Sequence, residues 1–228
     1  MLFFQDEIPD QTWKLNEDES RHIKVLRMHV GQTFFVTDGK GTRATIELEK
    51  IDKQCVVRTL DKESIANTNP EIHLFVAPTK NSDRTEWLVE KVVEMGIRSI
   101  HFIQCKNSER IHLKPERILR VAIAAMKQSV QFHLPAFHFD VPFIQAWNEA
   151  PGMKCLAHCA SGEKFRLAQI SKKENQLSLF IGPEGDFAPE EIEFAKSGLA
   201  LTLGNNRLRT ETAAMKVVVQ AHTHFETT

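Results

Sequence analysis

Two short segments near the carboxyl end contain the residue types best suited to chemistry. The first, residues 179–187, reads Leu-Phe-Ile-Gly-Pro-Glu-Gly-Asp-Phe. Glycines on both sides of Pro183-Glu184 allow a tight bend and let backbone N–H groups approach a ligand closely. No Lys-Ser/Thr follows them and the pattern is not Gly-x-Gly-x-x-Gly, so neither a P-loop nor a dinucleotide-binding turn is indicated. Glu184 and Asp186 would repel a polyphosphate. The segment therefore indicates a phosphate-free ligand, including a cationic one, or a plain strand-to-helix turn.

The second segment, residues 203–214, reads Leu-Gly-Asn-Asn-Arg-Leu-Arg-Thr-Glu-Thr-Ala-Ala. Its Gly-Asn-Asn start is typical of a turn, and Thr210 is suited to cap the helix that follows. Arg209 stands just before that helix. A guanidinium stays protonated, so Arg209 can stabilise negative charge but cannot accept a proton. The alternative is ordinary helix capping beside a solvated arginine.

The elements that must position these segments alternate after residue 70. Periodicity predicts strands at 72–77, 97–105, 153–159, 177–181 and 199–203, and helices at 82–95, 115–128, 189–197 and 210–224. Such alternation predicts a mostly parallel sheet with helices on both faces, whose ligands lie at the carboxyl ends of the strands. Both segments follow strands, so we expect them to form one site.

The first seventy residues are β-rich instead. Strands are predicted at 33–37, 43–49 and 54–60, with Asp38-Gly39 as a hairpin turn. The polar segment 67–70 breaks the pattern. We therefore predict one domain at residues 1–70 and a second at residues 71–228.

Composition limits the class of protein. The 228 residues carry a formal net charge of −1, which excludes a globally basic nucleic-acid-binding protein. Local basic runs occur at 21–43 and 106–127, each with a net charge of +4, and either can contact phosphates or form a solvated face. The sequence shows no signal peptide or membrane span, and its four scattered cysteines favour a reduced, cytoplasmic setting. The pair Cys155 and Cys159 is expected to be buried and structural, not metal-binding.

Taken together, several motifs resemble one family. Ile-Gly-Pro-Glu-Gly-Asp-Phe at 181–187 and Leu-Gly-Asn-Asn-Arg-Leu-Arg-Thr-Glu-Thr-Ala at 203–213 are similar to the RsmE family of ribosomal RNA small-subunit uridine N3-methyltransferases, in the SPOUT superfamily. The segment 21–28 resembles the family's PUA-like domain. Segment 90–97 and Gln128-Ser129 resemble its methyltransferase domain.

The resemblance implies a SPOUT-type trefoil-knotted α/β domain with a mostly parallel sheet, preceded by a PUA-like β-barrel domain. It implies S-adenosylmethionine as methyl donor, 16S ribosomal RNA of the small ribosomal subunit as substrate, a homodimer joined through the knotted domain, and no metal. Arg209 would orient the uracil and stabilise its negative charge. Glu211 would orient Arg209 or take a proton, or only favour the helix dipole.

The remaining site residues fall into two sets. The donor would be held by Ile181, Gly182, Pro183, Glu184, Gly185, Leu203, Gly204, Asn205, Leu208 and Thr210. RNA would be bound by Arg21, Lys24, Arg27, Arg43, Lys80 and Arg84.

The chain departs from the family pattern at two positions. Asp186 stands where the family often has a third glycine, and Gln131 stands where an arginine is usual. Two other functions stay open. One is a SPOUT-like enzyme that methylates another RNA site, such as a ribose 2′-hydroxyl, and the other is a non-catalytic RNA-binding assembly factor.

Overall fold

The computed structural model describes residues 1–109, 112–171 and 173–226, so Arg110 of the second basic run lies outside the described residues. The chain groups into two compact units. One comprises Met1–Thr68 with Ala122–Leu134, and the other Asn69–Val121 with Pro135–Thr228. Within the described residues, no helix combines the length and apolar character needed to cross a bilayer.

The N-terminal unit is built on a five-stranded sheet in the order β1-β3-β4-β5-β2. Strands β3, β4 and β5 form an antiparallel meander, and β1 pairs parallel to β3. Their alternate residues bury one face, with Phe3, Val36, Ile46 and Val57 in its core. The strands are β1 Leu2–Phe4, β2 Thr12–Lys14, β3 Thr33–Thr37, β4 Thr42–Lys50 and β5 Val56–Ser64.

The two edge strands of this sheet are linked through Asn16, which curls the sheet. The Asn16 backbone N–H donates to Gln5 Oε1 at 3.0 Å, and its side-chain amide donates to the Phe4 carbonyl at 2.9 Å. Asn16 also caps helix α1, Glu17–Val25, by accepting from the Glu19 N–H. The sequence prediction omitted β1, β2 and α1. The strands have three residues each, and the helix buries a single large apolar side chain, Ile23, so neither gives a clear periodic signal.

Segment Ala122–Leu134 joins this unit because it pairs with the β3–β4 turn. The Gly41 N–H donates to the Phe132 carbonyl at 2.9 Å, and the Leu134 N–H donates to the Gly39 carbonyl at 2.8 Å. Gly39 has φ +71°, so the predicted Asp-Gly turn is confirmed. The predicted domain boundary at residue 70 remains a prediction. A single boundary in the sequence divides the chain into two continuous pieces, so it cannot assign residues 122–134 to the N-terminal unit.

The second unit contains a six-stranded sheet in the order β11-β9-β10-β6-β7-β8, in which every pair is parallel. Its strands are β6 Glu71–Val76, β7 Ser99–Gln104, β8 Ala136–Pro142, β9 Met153–Ala157, β10 Gln176–Ile181 and β11 Leu199–Leu201. The helices are α2 Ser82–Met95, α3 Pro115–Gln128, α4 Phe143–Glu149, α5 Pro189–Phe194 and α6 Thr210–Glu226, and the division between the units falls within α3.

Helices cover both faces of the parallel sheet. Phe75 and Phe180 pack against Phe143 and Trp147 of α4. The alternate residues, such as Leu74, point to the opposite face, where α6 contacts β6 and β10 and packs against α2. The predicted fold class, a parallel α/β sheet preceded by a PUA-like sheet, is confirmed.

Candidate active site

The carboxyl ends of three adjacent strands surround two adjoining cavities. Ile181 of β10 pairs with Ala157 of β9, which pairs with Leu201 of β11, so the loops that follow start side by side. Cavity A has a volume of 280 Å³ and lies between the ends of β9 and β11. Cavity B has a volume of 310 Å³ and lies beside the loop after β10. Both cavities are lined by Ala157, Cys159, Arg207, Leu208 and Ala213.

The structure brings the two predicted segments together, as expected. Ile181, Gly182, Pro183, Glu184, Leu208, Arg209 and Thr210 line cavity B. Leu203, Gly204, Asn205 and Leu208 line cavity A. Gly185 is not among the described lining residues of either cavity; its carbonyl faces the Asn107 side-chain amide at 3.5 Å.

Thr210 ties the two loops to each other. It is the first residue of α6, and its buried hydroxyl donates to the Gly182 carbonyl at 3.1 Å. A Cβ on Gly182 would lie 3.0 Å from the Phe187 ring, closer than most such contacts, so the lack of a side chain lets this loop pack tightly against Phe187. The backbone of the Gly-Pro-Glu-Gly loop is thereby held against the start of the last helix.

Glu184 connects a third loop to the loops that follow β10 and β11. Its Oε1 accepts from the Lys80 N–H at 3.0 Å, and its carbonyl accepts from Arg207 Nη2 at 3.3 Å. The loop between β6 and α2 therefore joins the site. The lining of cavity B includes two acidic residues, Glu184 and Asp186, and two arginines, Arg207 and Arg209.

Asp186 has φ +66°, in the left-handed region that favours glycine. This conformation gives a physical reason for the glycine that the family often has there. In this chain the carboxylate bridges two loops, because Oδ2 accepts from the Cys159 N–H at 2.7 Å and Oδ1 from the Phe187 N–H at 2.9 Å.

The two proposed catalytic residues differ in their surroundings. Arg209 is exposed, and its guanidinium has no ion pair or hydrogen bond with a described residue. Glu211 is buried, with 7% exposure, and its Oε1 lies 3.8 Å from Arg84 Nε. Its Oε2 is buried without a hydrogen-bond partner among the described atoms. The carboxylate therefore faces Arg84, and Glu211 is not among the described lining residues of either cavity.

The end of β9 contributes residues that the sequence analysis missed. Cys155 is buried as predicted, but the expectation that Cys159 is buried is wrong. Strand β9 ends at Ala157, two residues earlier than predicted, so Cys159 lies exposed in the loop and lines both cavities. His158 and Lys164 line cavity A, and burial together with the Lys164 charge lowers the pKa of His158. Within the described residues, no group of three or more His, Cys, Asp or Glu side chains could hold a metal ion.

The N-terminal unit has its own groove, of 690 Å³, lined by Arg27 and by the exposed ring of Phe35. The Arg43 guanidinium lies over that ring, 5.3 Å from its centroid, and pairs with Glu63. Arg21 pairs with Asp18 at 3.5 Å, and Lys24 donates to the Lys53 carbonyl at 3.1 Å.

Three of the five described lysines and arginines of the second basic run form ion pairs. Lys106 pairs with Glu190, Arg117 with Glu86 and Lys127 with Glu19. Among the other candidates for RNA binding, Lys80 pairs with Glu109 at 2.6 Å, and Arg84 faces Glu211. The charge of +4 counted along run 106–127 therefore overstates the positive charge that this segment offers to phosphates.

The cavities lie at the carboxyl ends of a parallel sheet, which is where ligands of α/β proteins bind, and Arg209 beside them has no ion pair with a described residue. Comparison with known proteins identifies the class. Residues 67–221 match an RNA methyltransferase domain, and residues 15–60 match the PUA domain of RNA methyltransferases. The protein is an RNA methyltransferase of the SPOUT fold type with an N-terminal PUA-like domain.

Individual relatives narrow the class. The ribosomal RNA small subunit methyltransferase E of Bacillus subtilis is 26% identical over 222 residues, covering 90% of this chain and 87% of the relative. A probable rRNA-methyltransferase from Porphyromonas gingivalis is 34% identical, with a TM-score of 0.93 over 99% of this chain and 98% of that one. A methyltransferase from Legionella pneumophila, solved with bound S-adenosylmethionine, is 27% identical with a TM-score of 0.85 over 97% of both chains. This chain belongs to the family of ribosomal RNA small subunit methyltransferase E, as its motifs indicated.

Proposed function

We propose that this protein transfers a methyl group from S-adenosylmethionine to N3 of a uridine in 16S ribosomal RNA of the small ribosomal subunit. The transfer of methyl groups to ribosomal RNA follows from the family. The N3 position and the 16S target are our proposal. The observation that carries it is the meeting of the two loops in one site, beside Arg209, which is exposed and has no ion pair with a described residue.

The residues present fit the cofactor. S-Adenosylmethionine carries a sulfonium cation and no phosphate, which suits a site lined by Glu184 and Asp186. Gly182 lines cavity B, and the volumes of the two cavities lie near the lower end of the range for small-molecule sites, about 300 Å³. We assign donor binding to the loops 181–185 and 203–208 together with Thr210.

When bound, the donor supplies an electrophilic methyl group, and the uracil N3 must lose its proton to attack it. Negative charge then spreads over the uracil carbonyls. We assign to Arg209 the stabilisation of that charge and the orientation of the ring, a contribution worth about 3–4 kcal/mol for one such donor. Because the reaction of an anion with a cation removes charge, a water-poor cavity favours the step.

Glu211 is proposed as a residue that positions the first turn of α2 through Arg84. Its buried carboxylate and the Arg84 guanidinium are 3.8 Å apart. Breaking a buried charge pair by removing one partner is costly, since the other charge stays uncompensated. This ion pair would keep the loop after β6 and the loop after β11 in fixed positions relative to each other.

RNA recognition is assigned to the N-terminal unit. A base that reacts at N3 must leave its stack, and single-stranded RNA is commonly held by stacking on aromatic or guanidinium groups. The groove offers both in Phe35 and Arg27, and the exposed Arg21 and Lys24 add charge for phosphates. Arg43, which lies over the Phe35 ring, adds a further guanidinium next to the groove.

We propose that two copies associate through α2 and α6. These helices pack against each other, and each also exposes a large apolar side chain, Trp87 at 42% and Val219 at 46%. Contact with a second copy would remove the apolar surface of both side chains from water. The homologous ribosomal RNA enzymes support a cytoplasmic location.

A labelled-donor experiment tests the proposed function. The protein would be incubated with S-adenosylmethionine that carries a labelled methyl group and with small subunits lacking the modification, and the digested nucleosides would be analysed by mass spectrometry. We expect N3-methyluridine. A 2′-O-methylated product would support the ribose alternative, and an absence of both transfer and donor binding would support a non-catalytic assembly factor.

A further inference from the structure

Asp186 is the most rigidly held acidic group in cavity B. Its two carboxylate oxygens accept from the Cys159 and Phe187 N–H groups, at 2.7 and 2.9 Å, and its backbone is fixed at φ +66°. The side chain is half-buried and lines the cavity. A carboxylate held from two sides keeps one position when ligands enter or leave.

The Asp186 carboxylate has no ion-pair partner among the described residues, although its charge acts on the His158 ring by raising the pKa of that ring against the lowering caused by burial. Both of its hydrogen-bond donors are neutral backbone groups. Glu184, the other acid of cavity B, is exposed, which leaves it better screened by solvent. Arg207 and Arg209 also line the cavity but are exposed, and the Arg207 guanidinium donates to the Glu184 carbonyl.

Methyl transfer changes the charge of the cofactor. The methyl group leaves sulfur without the bonding electron pair, which stays on sulfur, and the new N–C bond uses the electron pair of the deprotonated N3. The sulfonium cation thus becomes a neutral thioether. A fixed carboxylate in the cavity stabilises the cation and gives no such stabilisation to the thioether.

We propose that Asp186 determines specificity by making the cavity favour the cationic methyl donor over its neutral product, S-adenosylhomocysteine. The proposal rests on the assignment of the donor to cavities A and B in the proposed function. Such a bias would help the product to leave after each turnover. One carboxylate that lines a half-exposed cavity changes the relative affinity for a cationic and a neutral ligand about threefold to tenfold.

Calorimetric titration of the full chain tests this proposal with three ligands: S-adenosylmethionine, S-adenosylhomocysteine, and sinefungin, which has an ammonium group where the donor has its sulfonium. Asp186→Asn and Asp186→Gly suit the test because both residues tolerate positive φ. Glu193→Gln is the matched control, since it removes one exposed carboxylate of α5 that pairs with Lys196 outside the cavities.

We expect both Asp186 variants to lower the affinity ratio of donor to product about threefold to tenfold. The affinity for sinefungin should fall as the affinity for the donor does. Glu193→Gln should leave the ratio unchanged. An equal loss of affinity for all three ligands would overturn the proposal and would show that Asp186 only connects the two loops. An unchanged ratio in both variants would overturn it as well.

A further variant distinguishes an error in the role of Asp186 from an error in the location of the donor site. Ala213 lines both cavities, so Ala213→Leu should fill them and abolish binding of all three ligands. The same substitution at Ala124, an exposed position of α3, is its control. If Ala213→Leu leaves the affinities unchanged, the donor binds elsewhere, and both the proposed site and the role of Asp186 are wrong.

Discussion

The Thr210 hydroxyl donates to the Gly182 carbonyl at 3.1 Å, across 28 residues of sequence. This hydrogen bond joins the start of the last helix to the loop after β10. It is buried, and the residues on both sides of it line cavity B. The Thr210 hydroxyl therefore helps to hold these two loops together, along with the hydrogen bond from Arg207 to the Glu184 carbonyl. The sequence alone presents Thr210 as an ordinary helix-start threonine.

Thr210→Val removes this hydroxyl while keeping the shape of the side chain. We expect the free energy of unfolding to fall by about 1–3 kcal/mol, because the buried Gly182 carbonyl loses its partner. Donor affinity should fall together with it. Urea denaturation and calorimetry measure the two effects. Thr210→Ser keeps the hydroxyl and serves as the control. If Thr210→Ser loses as much stability and donor affinity as Thr210→Val, the hydrogen bond is not the cause of these losses.

Arg209→Ala should lower methyl transfer about 100-fold to 1,000-fold while donor affinity stays nearly unchanged. The reason is that the guanidinium stabilises charge that develops only during the reaction. Single-turnover assays with labelled donor measure the first effect and calorimetry the second. Arg209→Lys keeps the charge without the planar fork and should recover part of the activity. Full turnover by Arg209→Ala would remove Arg209 from the mechanism.

Cys159 should be the one cysteine that iodoacetamide alkylates in the folded protein. It is exposed, whereas Cys55, Cys105 and Cys155 are buried. Burial raises the pKa of the Cys105 thiol and raises the pKa of Cys155 to about 12, and thiols react as thiolates. Because Cys159 lines both cavities, saturating S-adenosylmethionine should slow its alkylation, as peptide mass mapping would record.

Two controls accompany the alkylation experiment. Cys159→Ser should bind the donor and resist alkylation. Donor binding shows that the variant is folded, and resistance to alkylation identifies Cys159 as the residue modified in the parent protein. Equal rates of alkylation with and without the donor would place the donor outside the cavities.

His101 should contribute to acid sensitivity. Its ring stacks between Phe75, at 4.1 Å, and His138, at 4.2 Å. Burial, with the charges of His138 and His73, lowers the pKa of His101 to about 3 from an unfolded value near 6.5. The neutral form is favoured in the folded state, so this contribution to stability is complete above pH 6.5. It is lost as the pH falls from 6.5 towards 3, where the unfolded chain binds the proton first.

His101→Phe keeps the stacking and removes the titration. We therefore expect the free energy of unfolding of the variant to fall less steeply than that of the parent between pH 6.5 and 4. Urea titrations across this interval measure the slopes. Identical slopes would show that His101 does not carry the effect.

Much of the second unit could be predicted from the sequence. The helices at 82–95 and 115–128 occur as expected, because each repeats its buried residues at helical spacing. The strands β6 and β10 are short apolar runs bounded by polar breakers, and a parallel arrangement follows from their alternation with helices. That arrangement alone placed residues 181–187 and 203–210 at the same edge of the sheet.

Other features depended on contacts between distant residues. Strand β9 ends before Cys159, and the Asp186 carboxylate holds the Cys159 backbone in the loop, a contact that strand periodicity cannot reveal. Segment Ala122–Leu134 joins the N-terminal unit through hydrogen bonds to residues some ninety positions earlier.

The sequence by itself determined the kind of chemistry and the side of the sheet where it occurs, because residue types and strand–helix alternation are local properties of the chain. Only the tertiary structure decided which groups share a cavity. It paired Glu211 with Arg84, left Arg209 unpaired within the described residues, and fixed Asp186 between two loops. Hydrogen bonds and charge pairs act over a few ångströms in space, and spacing along a chain does not specify those distances.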